Sequence, residues 1–108
     1  MEKQHAEVIV LGGGPGGYAA AFYAASQGKD VYLIDKRSVL GGTCLNEGCI
    51  PSKALIHATE VLTLSQEAKN FGIEFKSPKI DIDKLREWKE SIITKLNNGI
   101  ASLCKQKN

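Results

Sequence analysis

An α/β fold, with parallel strands alternating with helices and a long helical hairpin inserted after the second strand, is the class this sequence predicts. Three observations carry it. Two short apolar runs rich in β-branched residues, Ala6–Leu11 and Val31–Ile34, have the near-continuous hydrophobicity of strands covered on both faces. A glycine-rich turn and an alanine-rich helical stretch lie between them, which is the order strand, turn, helix, strand of a parallel crossover unit. After the second run, two longer stretches carry apolar residues at three- and four-residue spacing, the period of amphipathic helices.

The first strand ends in Gly12-Gly13-Gly14-Pro15-Gly16-Gly17. Read from Gly12 this is G-x-G-x-x-G, the turn of a Rossmann-like dinucleotide site: Gly12 makes the tight turn, Gly14 lets backbone approach a pyrophosphate, and Gly17 lets the next helix pack closely. A second register, from Gly14 to Ala19, also fits but starts past the strand end. Pro15 loses nothing at a helix's first turn, because its missing N–H has no partner there. The helix from Tyr18 to Gln27 is built on Ala19, Ala20, Ala21, Ala24 and Ala25, and Gly28 is placed to close it. Asp35 follows the second strand, at about the 20-residue distance from the turn at which an acid accepts hydrogen bonds from ribose hydroxyls. Lys36 and Arg37 come next; charges after a strand are more commonly solvated surface groups, and tolerance for a phosphate nearby is the alternative they leave open.

The segment from Gly41 to Lys53, GGTCLNEGCIPSK, holds Cys44 and Cys49. Five steps of a regular helix turn a side chain by roughly 140°, so the two sulfurs meet only where a helix begins or distorts between them. Gly48 and Pro51 permit that, and Ile50, standing before a proline, is expected outside α geometry. A sulfur at a helix start faces unpaired N–H groups, which lowers its pKa and favours thiolate. The residues favour a reversible disulfide over half of a zinc site, for which Cys104, His5 and His57 offer no ligand-like spacing, and over inert buried thiols.

Beyond Lys53, a stripe of Ala54, Leu55, Ala58, Val61, Leu62 and Ser65 predicts a helix on which Cys49 and Lys53 are neighbours, so that Lys53 could support the Cys49 thiolate or pair with a carboxylate. His57 on the same helix is expected to be solvated. Asn70 to Pro78 reads as a loop, with Phe71, Ile73 and Phe75 as a short extended piece. Asp81 caps a second helix whose stripe Ile82, Leu85, Trp88, Ile92, Leu96, Ile100 and Leu103 is expected to pack on the first. Cys104, at its end, reads as a free structural thiol.

The bulk properties bound the rest. A chain of 108 residues with 43% hydrophobic and 24% charged residues has globular composition, which excludes disorder. Its net charge of +2 is too small to argue for nucleic acid or an acidic membrane. No signal-peptide pattern precedes the first strand and no run reaches the ~20 apolar residues of a membrane span, so a cytoplasmic location is expected. In that reducing compartment a disulfide is expected to be catalytic.

GGTCLNEGCIPSKAL, from Gly41 to Leu55, supported by VIVLGGGPGGYAAAFYAA from Val8, resembles the N-terminal part of the dihydrolipoamide dehydrogenases within the flavin-dependent pyridine nucleotide-disulfide oxidoreductases. The resemblance covers essentially the whole chain. Glutathione and mercuric reductases resemble this stretch too, but the run Ile50-Pro51-Ser52-Lys53-Ala54-Leu55 favours the lipoamide enzymes. Asp35 stands where the family commonly has glutamate.

The resemblance implies that Gly12, Gly14, Gly17 and Asp35, with Pro15 and Lys36 beside them, hold the adenosine diphosphate half of FAD. Gly42, Thr43 and Ser52 would line its phosphate or ring region, with Lys53 near the central ring. Cys44 would exchange with the lipoyl disulfide and Cys49 would lie against the flavin. The implied partners are the lipoyl domains of 2-oxo acid dehydrogenase complexes and a second copy of the parent enzyme. On this reading residues 1–108 form part of an FAD-binding domain, and the remaining FAD, NAD and dimerisation parts, including a catalytic histidine from the other subunit, lie outside it. A stand-alone FAD-binding or scaffold module paired with a separate NAD-binding subunit, and a flavin-free dithiol carrier, are the competing expectations.

Overall fold

The computed structural model describes residues 3–107. The leaderless start read at Met1 and Glu2, and the last residue of the Lys105–Asn108 tail, lie outside the described residues. Strand β1 (Val8–Leu11) leads through the glycine turn into helix α1 (Pro15–Ser26) and on to strand β2 (Val31–Ile34). The strands pair in parallel with Val8 opposite Val31 and Leu11 opposite Ile34, forming a two-stranded sheet. Helix α1 begins at Pro15, three residues earlier than the alanine run implies, because proline is already set for a first helical position. Gly28 closes it at φ +80°, donating its N–H to Ala25 O at 2.9 Å.

Alternation decides which strand side chains are covered. Val8, Val10, Val31 and Leu33 are half-buried, whereas Ile9, Leu11, Tyr32 and Ile34 are exposed. The strands are therefore covered on one face, not on both. Helix α1 packs against both strands, and the later helices pack on α1 and on one another instead.

A short helix, α2 (Gly42–Glu47), is separated by Gly48 from the long helix α3 (Cys49–Glu67). A 3-10 turn over Ala68–Phe71 ends at Gly72 with φ +88°. Residues 73–81 have no regular structure, so Ile73 and Phe75 form a loop and not a strand, and both are exposed. Helix α4 (Ile82–Lys107) then returns along α3 to complete the expected hairpin. Asp81 caps it, its Oδ1 accepting the Asp83 and Lys84 N–H groups at 3.1 Å each.

The face α4 buries differs from the expected stripe. Ile93 and Ile100 are buried and Leu85, Ile92, Asn97 and Cys104 half-buried, while Ile82, Trp88, Leu96 and Leu103 are exposed. Leu45 of α2 packs with Ile93 and Ile100, and Tyr18, Phe22, Leu40 and Ile50 close around them. This core ties α1, α2, α3 and α4 together at one end of the molecule. On α3, Ala54 is buried and Ala58, Leu62 and Ser65 half-buried, but Leu55 and Val61 face solvent.

The hairpin extends beyond the parallel unit, giving overall dimensions of 68 × 27 × 19 Å. The radius of gyration of 20.2 Å exceeds the roughly 13 Å expected of a compact domain this long.

Candidate functional site

Two glycine segments meet backbone to backbone. Gly12 turns at φ +104° directly after β1, and its N–H donates to Ile34 O at 2.7 Å, closing the ends of both strands. Gly17 lies so close to the Gly12 carbonyl that no side chain fits between helix and turn. This is the close packing the first register requires of its last glycine. Gly41 and Gly42 have φ of +110° and +62°, values that favour glycine. Gly41 N–H donates to Gly13 O at 2.8 Å, and a Cβ on Gly42 would stand 2.7 Å from Gly14 Cα.

Asp35 ties the same junction from β2. Its Oδ2 accepts the Gly13 N–H at 2.6 Å and its Oδ1 the Arg37 N–H at 2.8 Å. Those two donors, Arg37 first and Gly13 second, hold its carboxyl below the usual aspartate value against the opposing effect of desolvation. A carboxylate oxygen has two lone pairs, so each keeps one for a further donor.

These elements frame a cleft of about 480 Å³ lined by Leu11, Gly12, Ile34, Asp35, Lys36, Arg37, Gly42 and Thr43. The donor set fits a dinucleotide: backbone glycine for close approach, an ionised acid for hydroxyls, two cations for phosphates, and the open start of α1 next to it. Arg37 also reaches Thr43 Oγ1 and Glu47 Oε2, each at 3.4 Å, linking this wall to α2. Of the residues expected to hold a cofactor, Gly12, Asp35, Lys36, Gly42 and Thr43 line the cleft. Gly14, Pro15 and Gly17 shape the turn behind it. Ser52 donates its hydroxyl to Cys49 O at 3.1 Å, and Lys53 is exposed on α3, outside the cleft lining.

The break needed between the cysteines sits at Gly48 (φ −125°, ψ −110°), where an added Cβ would stand 3.0 Å from Thr43 O and 3.3 Å from Cys44 Cα. Helix α3 starts at Cys49 itself, so Ile50 and Pro51 are helical, contrary to the expectation for Ile50. Pro51 falls in the first turn, where its missing N–H costs no intrahelical bond. Cys44 and Cys49 lie on either side of that break, both as free thiols, near enough for Cys49 to act on the Cys44 thiol.

The neighbouring Cys49 thiol is the main cause that raises the Cys44 thiol above its ordinary pKa, helped by desolvation and the Cys49 charge. The Cys49 backbone N–H and the Lys53 ammonium pull the other way. A lowered value was expected from a helix start alone; for Cys44 the neighbouring thiol outweighs it. Lys53 thus acts on Cys44. Cys49 is exposed at the first position of α3, while Cys44 is half-buried.

The remaining singled-out residues stand apart. His57 is exposed on α3, 3.8 Å from the Glu60 carboxylate. Cys104 is half-buried beside a cavity of about 220 Å³, and burial raises its pKa. Two residues of the site escaped sequence analysis, Asn46 and Asn97. Asn46 donates to Gly42 O at 2.9 Å, and Asn97, from α4, donates to Leu40 O at 2.7 Å. Their only sequence signal is a polar residue on an otherwise apolar helical face.

A cleft at a glycine turn, joined through glycine backbone to a segment with two neighbouring thiols, points to a class, and the family model for pyridine nucleotide-disulphide oxidoreductases matches residues 6–108; the chain belongs to that family. Its members generally use FAD and NAD. The chain is similar to dihydrolipoyl dehydrogenase of Vibrio cholerae, 49% identical over 108 residues, covering 99% of this chain and 23% of that protein. It is 44% identical over 106 residues to dihydrolipoyl dehydrogenase of Buchnera aphidicola from Acyrthosiphon pisum, covering 98% and 22%. Dihydrolipoyl dehydrogenase 2 of Haloarcula marismortui is 48% identical over 99 residues, with 92% and 21% covered. The chain therefore spans less than a quarter of the length of these relatives.

Proposed function

We propose that this chain is the N-terminal, FAD-binding and disulfide-bearing part of a dihydrolipoyl dehydrogenase. It takes two electrons from protein-bound dihydrolipoamide through the Cys44–Cys49 pair. The observation that carries this is the placement of Cys44 and Cys49 on either side of the Gly48 break, with Cys44 one residue from the cleft-lining Thr43.

Oxidation of the substrate balances within the two sulfur pairs. One thiolate of the dihydrolipoyl group attacks Cys44 of the Cys44–Cys49 disulfide, and Cys49 leaves as thiolate. The second substrate thiol, as thiolate, attacks the mixed disulfide, releasing Cys44 and closing the lipoyl disulfide. Two electrons now rest on the protein thiols. A bound flavin supplies acceptance of that pair and its delivery to NAD.

The chain's own residues do the positioning. Gly12 and Gly14 admit phosphate to the backbone, Asp35 offers acceptors to ribose hydroxyls, and Lys36 with Arg37 offsets phosphate charge. Lys53, an exposed cation one helical turn from Cys49, pulls the Cys44 thiol toward thiolate. The partners on this reading are lipoyl domains, a second copy of the enzyme, and an NAD site outside residues 1–108, in the cytoplasm.

The test is exchange of the oxidised chain with free dihydrolipoamide, read by mass spectrometry after alkylation. Loss of the Cys44–Cys49 disulfide with formation of lipoamide is expected, and none in Cys44→Ser. Failure of the wild-type chain to form that disulfide, or to exchange it, would falsify the proposal. FAD titration adds a second readout, in which Gly42→Ala weakens binding.

A further inference from the structure

Asn97 is a polar residue on the buried face of α4, one turn from Ile93 and one from Ile100. An amide among apolar side chains costs free energy unless its donors and acceptor are used. Its Nδ2 donates to Leu40 O at 2.7 Å and to Asn46 Oδ1 at 3.1 Å. Asn46 Nδ2 in turn donates to Leu40 O at 3.3 Å and to Gly42 O at 2.9 Å. A carbonyl only accepts, so these contacts fix both amides' orientations. The clasp spans 57 residues and closes on the backbone that enters α2.

Everything this clasp holds leads to the thiols. Leu40 precedes Gly41 and Gly42, whose backbone seats on the Gly12–Gly14 turn. Cys44 stands two residues beyond Gly42, in the same single-turn helix as Asn46. A helix of six residues has little stability of its own, so its position depends on what pins it. Leu45 pins it by apolar contact with Ile93 and Ile100, and Asn97, between those two, by hydrogen bonds.

We propose that Asn97 is a positioning residue for the Cys44–Cys49 couple: by holding Leu40 O and Asn46 it fixes α2 so that Cys44 is kept against Cys49. The inference rests on the redox role proposed for that pair. With the clasp intact, closing the disulfide costs little further ordering. Without it, the freedom regained by α2 must be lost again when the bond forms, so the disulfide becomes easier to reduce.

The experiment is equilibration of the full chain with glutathione, in which the protein dithiol plus glutathione disulfide gives the protein disulfide plus two glutathione thiols, with acid quenching and mass readout. Asn97→Asp keeps the volume but removes the donor, and Asn97→Ala removes the amide without a clash. Both should lower the equilibrium constant for disulfide formation about fivefold or more, the size expected of a lost hydrogen bond. Leu85→Ala, half-buried on α4 far from the clasp, controls for general loosening of the hairpin, with melting temperatures measured alongside. Its constant should match wild type even where its melting temperature falls as far. Asn97 variants that match wild type, or a Leu85→Ala effect as large as theirs, overturn the positioning role while leaving the redox role standing. A wild-type chain that forms no Cys44–Cys49 disulfide removes both.

Discussion

Gly42→Ala probes the junction on which the site depends. Alanine at φ +62° enters the left-handed region at a cost of about 1–2 kcal/mol. Its Cβ would also stand 2.7 Å from Gly14 Cα and 3.4 Å from Gly14 N, so main chain and not a flexible side chain must give way. Overpacking of that kind costs about 1–3 kcal/mol, which brings the expected loss to about 2–5 kcal/mol. Against the total of about 5–15 kcal/mol typical of native proteins, that is a large fraction. Gly99→Ala is the matched comparison: Gly99 is exposed inside α4 with nothing within 4 Å of an added Cβ, so alanine should stabilise by about 1 kcal/mol. Urea unfolding followed by far-ultraviolet circular dichroism gives both values. A Gly42→Ala midpoint equal to wild type, with Gly99→Ala shifted upward as expected, would refute the claim that the two glycine segments press on each other.

Acid should weaken the fold through Asp35 and Glu7, whose folded pKa values are both depressed: Asp35 by the Arg37 and Gly13 N–H groups, Glu7 by the Asp30 N–H and then Lys29. A depressed carboxylate contributes stability in full above its unfolded value, roughly 4, and loses it as pH falls through the folded value. Urea midpoints should therefore decline below about pH 4, and less steeply in Asp35→Asn; parallel curves would contradict the hydrogen bonds. Because Cys49 is the chief cause of the raised Cys44 pKa, Cys49→Ser should move the alkylation-rate midpoint of Cys44 downward, and an upward or null movement counts against that cause. Ile93→Ala should cost about 2–4 kcal/mol and Leu96→Ala under about 1 kcal/mol, since only the first is buried; equal losses would mean α4 packs in another rotation.

Features set by local chemistry were legible in the sequence. The two strands, the Gly12 turn, the Gly28 stop and the Asp81 cap each follow from residues within a few positions of one another. What escaped depends on distant partners. Helix α4 has apolar residues on more than one face, with Ile92 beside Ile93 and Leu96 beside Asn97, so spacing alone allowed the stripe through Leu96 and Leu103. Leu45 and the Leu40 carbonyl, both far away in sequence, select the face with Ile93, Asn97 and Ile100 instead. The short helix around Cys44 was hidden because glycines bracket it, and of the two residues that permit a break, Gly48 and Pro51, only Gly48 makes it, since proline fits the first turn of α3. Coverage of the strands on both faces was read from their composition, but one helix can cover one face only.

Gly14 and Gly42 face each other through main chain, with the rigid Pro15 ring beside them. Side chains ordinarily cushion one loop from another by changing rotamer, and here none is free to do so. A push on the turn after β1 must therefore arrive at the start of α2 undamped, as displacement of the peptide units that carry Thr43 and Cys44. On the function proposed above, filling the cleft and loading the sulfurs would act on the same few ångströms of backbone.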